Sequence, residues 1–160
     1  MREWLGAIGA SMQGWLSADA GLAGLFASAF VSSTFLPGSS ELVLVALLAA
    51  HPQLAWPAFG VATLGNVLGG LVTFAMGLAA RAGYERFQGL RWQVSEAAMA
   101  RLGRYGPPVL FFSFVPVVGD ALVLAAGWTR LPFGPSLAWM AAGKAARYAV
   151  LAASMAGLLA

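Results

Sequence analysis

The fold is decided by two stretches of sequence, Phe35-Leu36-Pro37-Gly38-Ser39-Ser40-Glu41 and Phe114-Val115-Pro116-Val117-Val118-Gly119-Asp120. Both read Phe-x-Pro-x-x-x-acid, and both run on into apolar sequence. Each copy therefore places a helix-breaking proline and a carboxylate within hydrophobic sequence. The motif occurs twice, at a shift of 79 residues, and this doubling indicates an internal repeat.

The composition predicts an integral membrane protein. The 160 residues are 60% hydrophobic and 9% charged, with a mean hydropathy of +0.79, whereas soluble domains carry about 25% charged residues. The length suggests a single domain over residues 1–160. The chain has no cysteine, which excludes disulfides and thiolate metal sites. The net charge of +3 is too small and too dispersed to favour nucleic acid as a partner.

Residues 1–19 predict an amphipathic N-terminal helix. Trp4, Ile8 and Trp15 lie on one apolar stripe at helical spacing. The stripe is shorter than the roughly 20 residues of a membrane span, so an interfacial helix anchored by tryptophan is the first interpretation. The first half of a longer membrane helix is the alternative.

Residues 20–80 form the first repeat. Residues 20–50 are apolar but interrupted at Pro37 and Gly38. Each arm, at ~1.5 Å per residue, reaches about 20 Å, which is short of a ~30 Å hydrocarbon core. The pattern predicts a re-entrant helical hairpin, with a tip formed by Pro37, Gly38, Ser39 and Ser40. Residues 54–80 carry no charge and predict a full span, in which Gly65 and Gly69 form a G-x-x-x-G pattern for close helix approach.

Residues 81–106 are a basic segment between the repeats. They contain five arginines against two glutamates. Short basic segments beside membrane spans face the cytoplasm, so we expect a cytoplasmic location for this segment.

Residues 107–160 form the second repeat. We expect a hairpin over 107–129, broken at Pro116 and Gly119, and a span over 136–160. Aligning the two spans matches Asn66 with Lys144 and Gly69 with Arg147. A hairpin followed by one crossing reverses the direction of the second half. The predicted fold is therefore an all-α integral membrane protein built as an inverted repeat, an architecture of secondary transporters.

Five polar residues at membrane depth are the candidate site: Glu41, Asp120, Lys144, Arg147 and Asn66. An ionisable group within a membrane segment indicates function by default. Lys144 and Arg147 lie one helical turn apart, so with the two acids they make a neutral set suited to a zwitterionic or phosphate headgroup.

Structural roles remain open for the same residues. The carboxylates can accept backbone N–H groups that the proline breaks release, and the four charges can form a buried network that fixes packing. Lys144 can instead extend toward the surface, and Asn66 can form a helix–helix hydrogen bond.

An enzyme is not expected. The sequence lacks G-x-S-x-G and H-E-x-x-H motifs. His51 is the single histidine, so a metal site that needs two histidine ligands is excluded. No metal and no cofactor are predicted.

The motifs resemble those of the DedA / VTT-domain superfamily, in particular its small YqaA-like branch. The resemblance covers roughly residues 20–157 and rests on the two proline motifs, on Gly65-Asn66-x-x-Gly69 and on Ala125-Ala126-Gly127. It implies two re-entrant hairpins packed face to face in a bacterial inner membrane. This chain has Ser32 where better-studied relatives carry a further acid, and Ser113 and Gly119 where they carry arginines.

The resemblance implies a lipid flippase or scramblase that moves lipids or lipid-linked carriers between leaflets, with proton coupling as an option. Membrane lipids are the implied partners. Two alternatives remain: a non-transporting scaffold or partner subunit, including a homo-oligomer packed through Gly65 and Gly69, and a small-solute or ion transporter. Substrate, direction and coupling ion are left open by the sequence.

Overall fold

The computed structural model describes residues 18–33, 39–87 and 96–159, and every element in this part of the chain is helical. Two 3₁₀ helices, Pro52–Leu54 and Pro107–Phe114, accompany the α-helices. The α-helices, in chain order, are α1 (Ala18–Ser32), α2 (Ser39–Ala50), α3 (Ala55–Phe87), α4 (Glu96–Tyr105), α5 (Val118–Trp128) and α6 (Phe133–Leu159). The prediction of an all-α fold is confirmed. The helix predicted over 1–19 lies, up to residue 17, outside the described residues.

The first proline motif separates two short apolar helices. Helix α1 has 15 residues and α2 has 12, so each is about 18–22 Å long and too short to cross a membrane. The predicted break at Pro37 and Gly38 falls in residues 34–38, outside the described part of the chain. Helix α1 ends before this segment and α2 begins directly after it, in agreement with the predicted position.

The second proline motif separates a 3₁₀ helix from an α-helix. Pro107–Phe114 has eight residues and α5 has 11. The break is narrower than predicted: Pro116 lies in it, whereas Gly119 is the second residue of α5 and packs against the backbone of Ser113. Val117 turns the chain into α5 with a φ of 66°, in the left-handed region that β-branched residues rarely adopt.

The long helices are α3 and α6, with 33 and 27 residues. The stretch Pro52–Gly83, which contains most of α3, has a mean hydropathy of 1.6. Among the described residues it is the one helical stretch that is both long and apolar enough to cross a membrane. Helix α6 is also long enough, at about 40 Å, but carries Lys144 and Arg147 near its middle.

Helix α3 is the centre of the molecule and packs against α1, α5 and α6. Gly65 and Gly69 lie directly on the backbone of α1; a Cβ added at Gly65 would come within 2.6 Å of the Phe26 carbonyl oxygen. The predicted close approach is therefore confirmed, but inside one chain. Because α1 covers these glycines, the homo-oligomer predicted through Gly65 and Gly69 cannot use that face.

The buried apolar residues of the described part of the chain form two clusters. The first surrounds Leu25, Leu44 and Tyr148 and joins α1, α2 and α6 to α3. The second surrounds Phe74, Leu122 and Val123 and joins α3 to α4, the 3₁₀ helix Pro107–Phe114, α5 and α6. Helix α3 therefore contributes to both clusters, and its polar residue Asn66 is buried together with Lys144 of α6.

Candidate functional site

The five predicted site residues lie on four helices that converge on α6. Glu41 is on α2, Asn66 on α3, Asp120 on α5, and Lys144 and Arg147 on α6. The structure joins them into two polar clusters on adjacent turns of α6, one around Lys144 and one around Arg147.

Lys144 is buried, with 1% of its side chain exposed. Its Nζ donates to Ser33 Oγ at 2.7 Å and to Asn66 Oδ1 at 2.6 Å. The nearest carboxylate oxygen, Asp120 Oδ1, is 4.0 Å away, so the pair attracts without a direct hydrogen bond. The alternative that Lys144 extends toward the surface is wrong, because Ser33 and Asn66 hold its ammonium group inside the protein.

Asn66 connects three helices through its amide. Its Nδ2 donates to the Ala29 carbonyl oxygen on α1 at 3.1 Å and to the Tyr148 hydroxyl on α6 at 3.2 Å, while its Oδ1 accepts from Lys144. The predicted helix–helix hydrogen bond is thus present. The same side chain also orients the lysine, so the structural role and the site role coincide in this residue.

Arg147 pairs with Glu41 through two nitrogen atoms. Nε donates to Glu41 Oε1 at 2.8 Å, and Nη2 contacts the same oxygen. The arginine side chain is 15% exposed and that of the glutamate 37%. Glu41 thus lies at the edge of the network, where it is open to the surroundings, whereas its cation is covered.

Asp120 is placed like Glu41, with 32% of its side chain exposed beside the buried Lys144. The described residues place a cation of α6 beside each carboxylate, Lys144 beside Asp120 and Arg147 beside Glu41. The two acids therefore lie at different turns of α6.

Two serines near the breaks, Ser32 and Ser113, satisfy backbone groups. Ser32 Oγ accepts the backbone N–H of Ser40 at 3.2 Å and so links the end of α1 to the start of α2. Ser113 Oγ donates to the Met140 carbonyl oxygen at 3.2 Å, which ties the 3₁₀ arm to α6. Of the other predicted tip residues, Pro37 and Gly38 lie outside the described residues, and Ser39 begins α2.

Two members of the network were not predicted as site residues. Tyr148 is fully buried, and its hydroxyl lies 3.0 Å from Ser40 Oγ and accepts from Asn66. Ser33 is the second acceptor for Lys144. Tyr148 follows Lys144 by four residues, a spacing that places both on one face of a helix. This spacing is the feature of the sequence from which Tyr148 could have been predicted.

The network has no cluster of metal ligands within the described residues: no group of three or more His, Asp or Glu side chains lies close enough to hold a metal ion there. Its chemistry is that of paired charges and hydrogen bonds. Such a site can hold a charged headgroup or exchange a proton at a carboxylate, and it can also hold helices together.

Comparisons with known proteins are consistent with this arrangement. The family model described as the VTT domain matches residues 36–157, which include both carboxylates and both cations. The chain is 46% identical over 140 residues to "Inner membrane protein YqaA" of Escherichia coli (strain K12), covering 84% of this chain and 92% of that protein. It is 37% identical over 136 residues to an "Uncharacterized protein" of Haemophilus influenzae, covering 79% of this chain and 82% of that protein. No solved structure matches the chain.

Proposed function

The chain belongs to the VTT-domain (DedA) family, and from this premise we propose that it moves a lipid or lipid-linked headgroup between the leaflets of a bacterial inner membrane. The name of its Escherichia coli relative supports this location. The observation that carries the proposal is the charged network on α6, which receives one carboxylate from each hairpin. In this proposal membrane lipids are the partners, the basic segment 81–106 faces the cytoplasm, and no enzymatic step or cofactor is involved.

The contact between Lys144 and Asn66 supports an inverted repeat. These two residues occupy matching positions in the two halves of the sequence, and their side chains lie 2.6 Å apart. Matching residues meet when they lie near a twofold axis that relates two halves. The two arms of each proposed hairpin are too short to span the membrane. A twofold axis in the membrane plane therefore places the two hairpins so that they enter from opposite faces.

Helix α2 is the element best suited to move. Its first turn is clasped to α6 by two successive contacts, Ser40 with Tyr148 and Glu41 with Arg147. The two helices contact each other at few other positions, and Leu42, the next residue, is 74% exposed. Helix α5 of the other hairpin differs, since its Gly127 lies on the backbone of α3.

The proposed transport step is the opening of this clasp. The phosphate of an entering headgroup displaces Glu41 and takes its place on the guanidinium group of Arg147. Arginine suits this task because its planar donors match phosphate oxygens. When the headgroup leaves, Glu41 pairs with Arg147 again. Asp120 and Lys144 keep the second hairpin in place throughout.

The test is lipid translocation in proteoliposomes, followed with acyl-labelled fluorescent lipids and an impermeant quencher. Glu41→Gln is expected to abolish most of the protein-dependent rate, because it removes the charge that closes the clasp. Asp120→Asn is expected to retain part of it, since this carboxylate lies 4.0 Å from Lys144. Asp19→Asn, an exposed acid in the first turn of α1, is the matched control and should behave as wild type.

Two results would contradict the proposal. If a folded Glu41→Gln variant moves lipid as fast as wild type, Glu41 takes no part in transport. If wild-type protein moves none of the lipids in a broad panel faster than they move in protein-free liposomes, the protein is not a lipid transporter.

A non-transporting scaffold is the second candidate, and the burial of Lys144 favours it. Buried ion networks often fix packing, and Lys144 donates two hydrogen bonds to protein partners, Ser33 and Asn66. Under this interpretation Lys144→Met destabilises the fold, and no carboxylate variant affects lipid movement. The translocation assay above separates the two candidates.

A further inference from the structure

A groove on the outer surface of the second hairpin lies apart from the charged network. It has a volume of about 570 Å³ and is bounded by α4, the 3₁₀ helix Pro107–Phe114 and α5. The residues that line it are Tyr105, Pro108, Val109, Phe112, Val115, Val118 and Leu122. Val118 and Leu122 are one turn apart on α5, whereas Asp120 lies between them and therefore points to another face. The groove is thus separate from the site on α6.

One end of the groove carries a positive charge. Arg104 is exposed, and its guanidinium carbon lies 5.3 Å from the centroid of the Tyr105 ring, which itself lines the groove. Tyrosine is enriched where membrane and water meet, and arginine at this level binds lipid phosphate. Arg104 and Tyr105 therefore mark the end of the groove at the membrane surface.

The other end of the groove extends toward the hairpin tip at Val115 and Val118. From Pro108 to Phe114 the 3₁₀ helix makes six steps, which at ~2.0 Å each amount to roughly 12 Å. Half of a ~30 Å hydrocarbon core is about 15 Å. The apolar part of the groove is therefore about as long as the hydrocarbon region of one leaflet is deep.

We propose that this groove binds one anionic phospholipid, with an acyl chain along the 3₁₀ arm and the phosphate at Arg104. The charge at the mouth and the length of the apolar part both fit this occupant. The site depends on the protein being in a membrane but not on transport, because it shares no residue with the α6 network. Its ligand stays bound, whereas a transported lipid must leave.

The test is native mass spectrometry of the full-length protein, purified in mild detergent, stripped of lipid and incubated with phosphatidylglycerol or phosphatidylcholine of the same acyl chains. We expect one phosphatidylglycerol per chain to persist at detergent concentrations that remove phosphatidylcholine. Arg104→Gln should reduce the preference about fivefold, which is roughly the contribution of one basic residue near a membrane surface. Arg104→Lys should keep most of it.

Two further variants complete the experiment. Val118→Trp fills the groove from an exposed position and should abolish retention of both lipids. Arg130→Gln removes an exposed arginine after the far end of α5 and should leave retention unchanged. The proposal is overturned if both lipids are retained equally in wild type, or if Arg104→Gln and Arg130→Gln lower the preference to the same extent. Either result indicates annular lipid only.

Discussion

At the scale of single residues, Tyr148 connects Asn66 to the start of α2. Its hydroxyl accepts from Asn66 and forms a hydrogen bond with Ser40 Oγ in which either hydroxyl group can donate. Lys144, Asn66, Tyr148 and Ser40 thus form one chain of hydrogen bonds that crosses three helices.

Removing the hydroxyl tests this role directly. We expect Tyr148→Phe to destabilise the protein by about 0.6–1.5 kcal/mol, the usual range for one buried hydrogen bond in membrane and soluble proteins. Thermal unfolding in detergent measures the effect. Tyr105→Phe is the matched control, because Tyr105 is exposed, and it should leave the midpoint unchanged. Equal midpoints for the two variants would show that the Tyr148 hydroxyl contributes nothing.

At the scale of the elements, glycine decides how closely the helices pack. Gly77 of α3 and Gly127 of α5 lie on each other's helix backbones: Gly77 faces the Leu124 carbonyl oxygen and Gly127 that of Phe74. Side chains at these two positions would separate the helices. These two glycines therefore anchor α5 to α3, while α1 packs against Gly65 and Gly69 of the same helix.

Alanine substitution distinguishes packing glycines from the others. Gly77→Ala should destabilise the protein by about 1–3 kcal/mol, because the methyl group overlaps backbone atoms that cannot move aside. Gly60→Ala, in the same helix, meets nothing within 4 Å and should be neutral or stabilising by up to about 1 kcal/mol. Chemical denaturation of the two variants gives both values. The interpretation fails if Gly77→Ala is as stable as Gly60→Ala.

At the scale of the whole molecule, α2 and α5 are packed differently. Helix α5 is buried against α3 along much of its length, with Leu122, Val123, Ala125 and Ala126 in the core. Helix α2 packs mainly against α1, with Leu44, Leu47 and Leu48 buried, and the polar clasp holds its first turn to α6. The proposed transport cycle uses this asymmetry, with one hairpin fixed and the other free to open.

Distance measurements between spin labels test that asymmetry. The chain has no cysteine, so labels at Leu42 and Leu68 report on α2 against α3, and labels at Val118 and Leu68 report on α5 against α3. All three positions are exposed. We expect a broad distribution for the first pair and a narrow one for the second, in lipid nanodiscs. Glu41→Gln should broaden the first pair further and leave the second as it was; two equally narrow distributions would exclude a mobile α2.

The sequence by itself determined the helical class, the break at Pro116 and the residue types of the candidate site. These are local properties. Proline lacks a backbone N–H and interrupts a helix whatever its tertiary surroundings. A charge such as that of Lys144 can be recognised in an apolar segment from the sequence alone. The repeat in the sequence also matches Asn66 with Lys144, and these side chains meet in the structure.

Only the tertiary structure decided which groups meet. Glu41 pairs with Arg147 across 106 residues, while Asp120 faces Lys144 without touching it. Lys144 could not be placed inside or at the surface from its helix alone, because its direction depends on Ser33 and Asn66 from two other helices. The partner of Gly65 and Gly69 is also undetermined by the sequence, because their spacing suits close packing against a second chain as well as against α1. Partner choice is set by the packing of helices distant in sequence, and no local pattern encodes it.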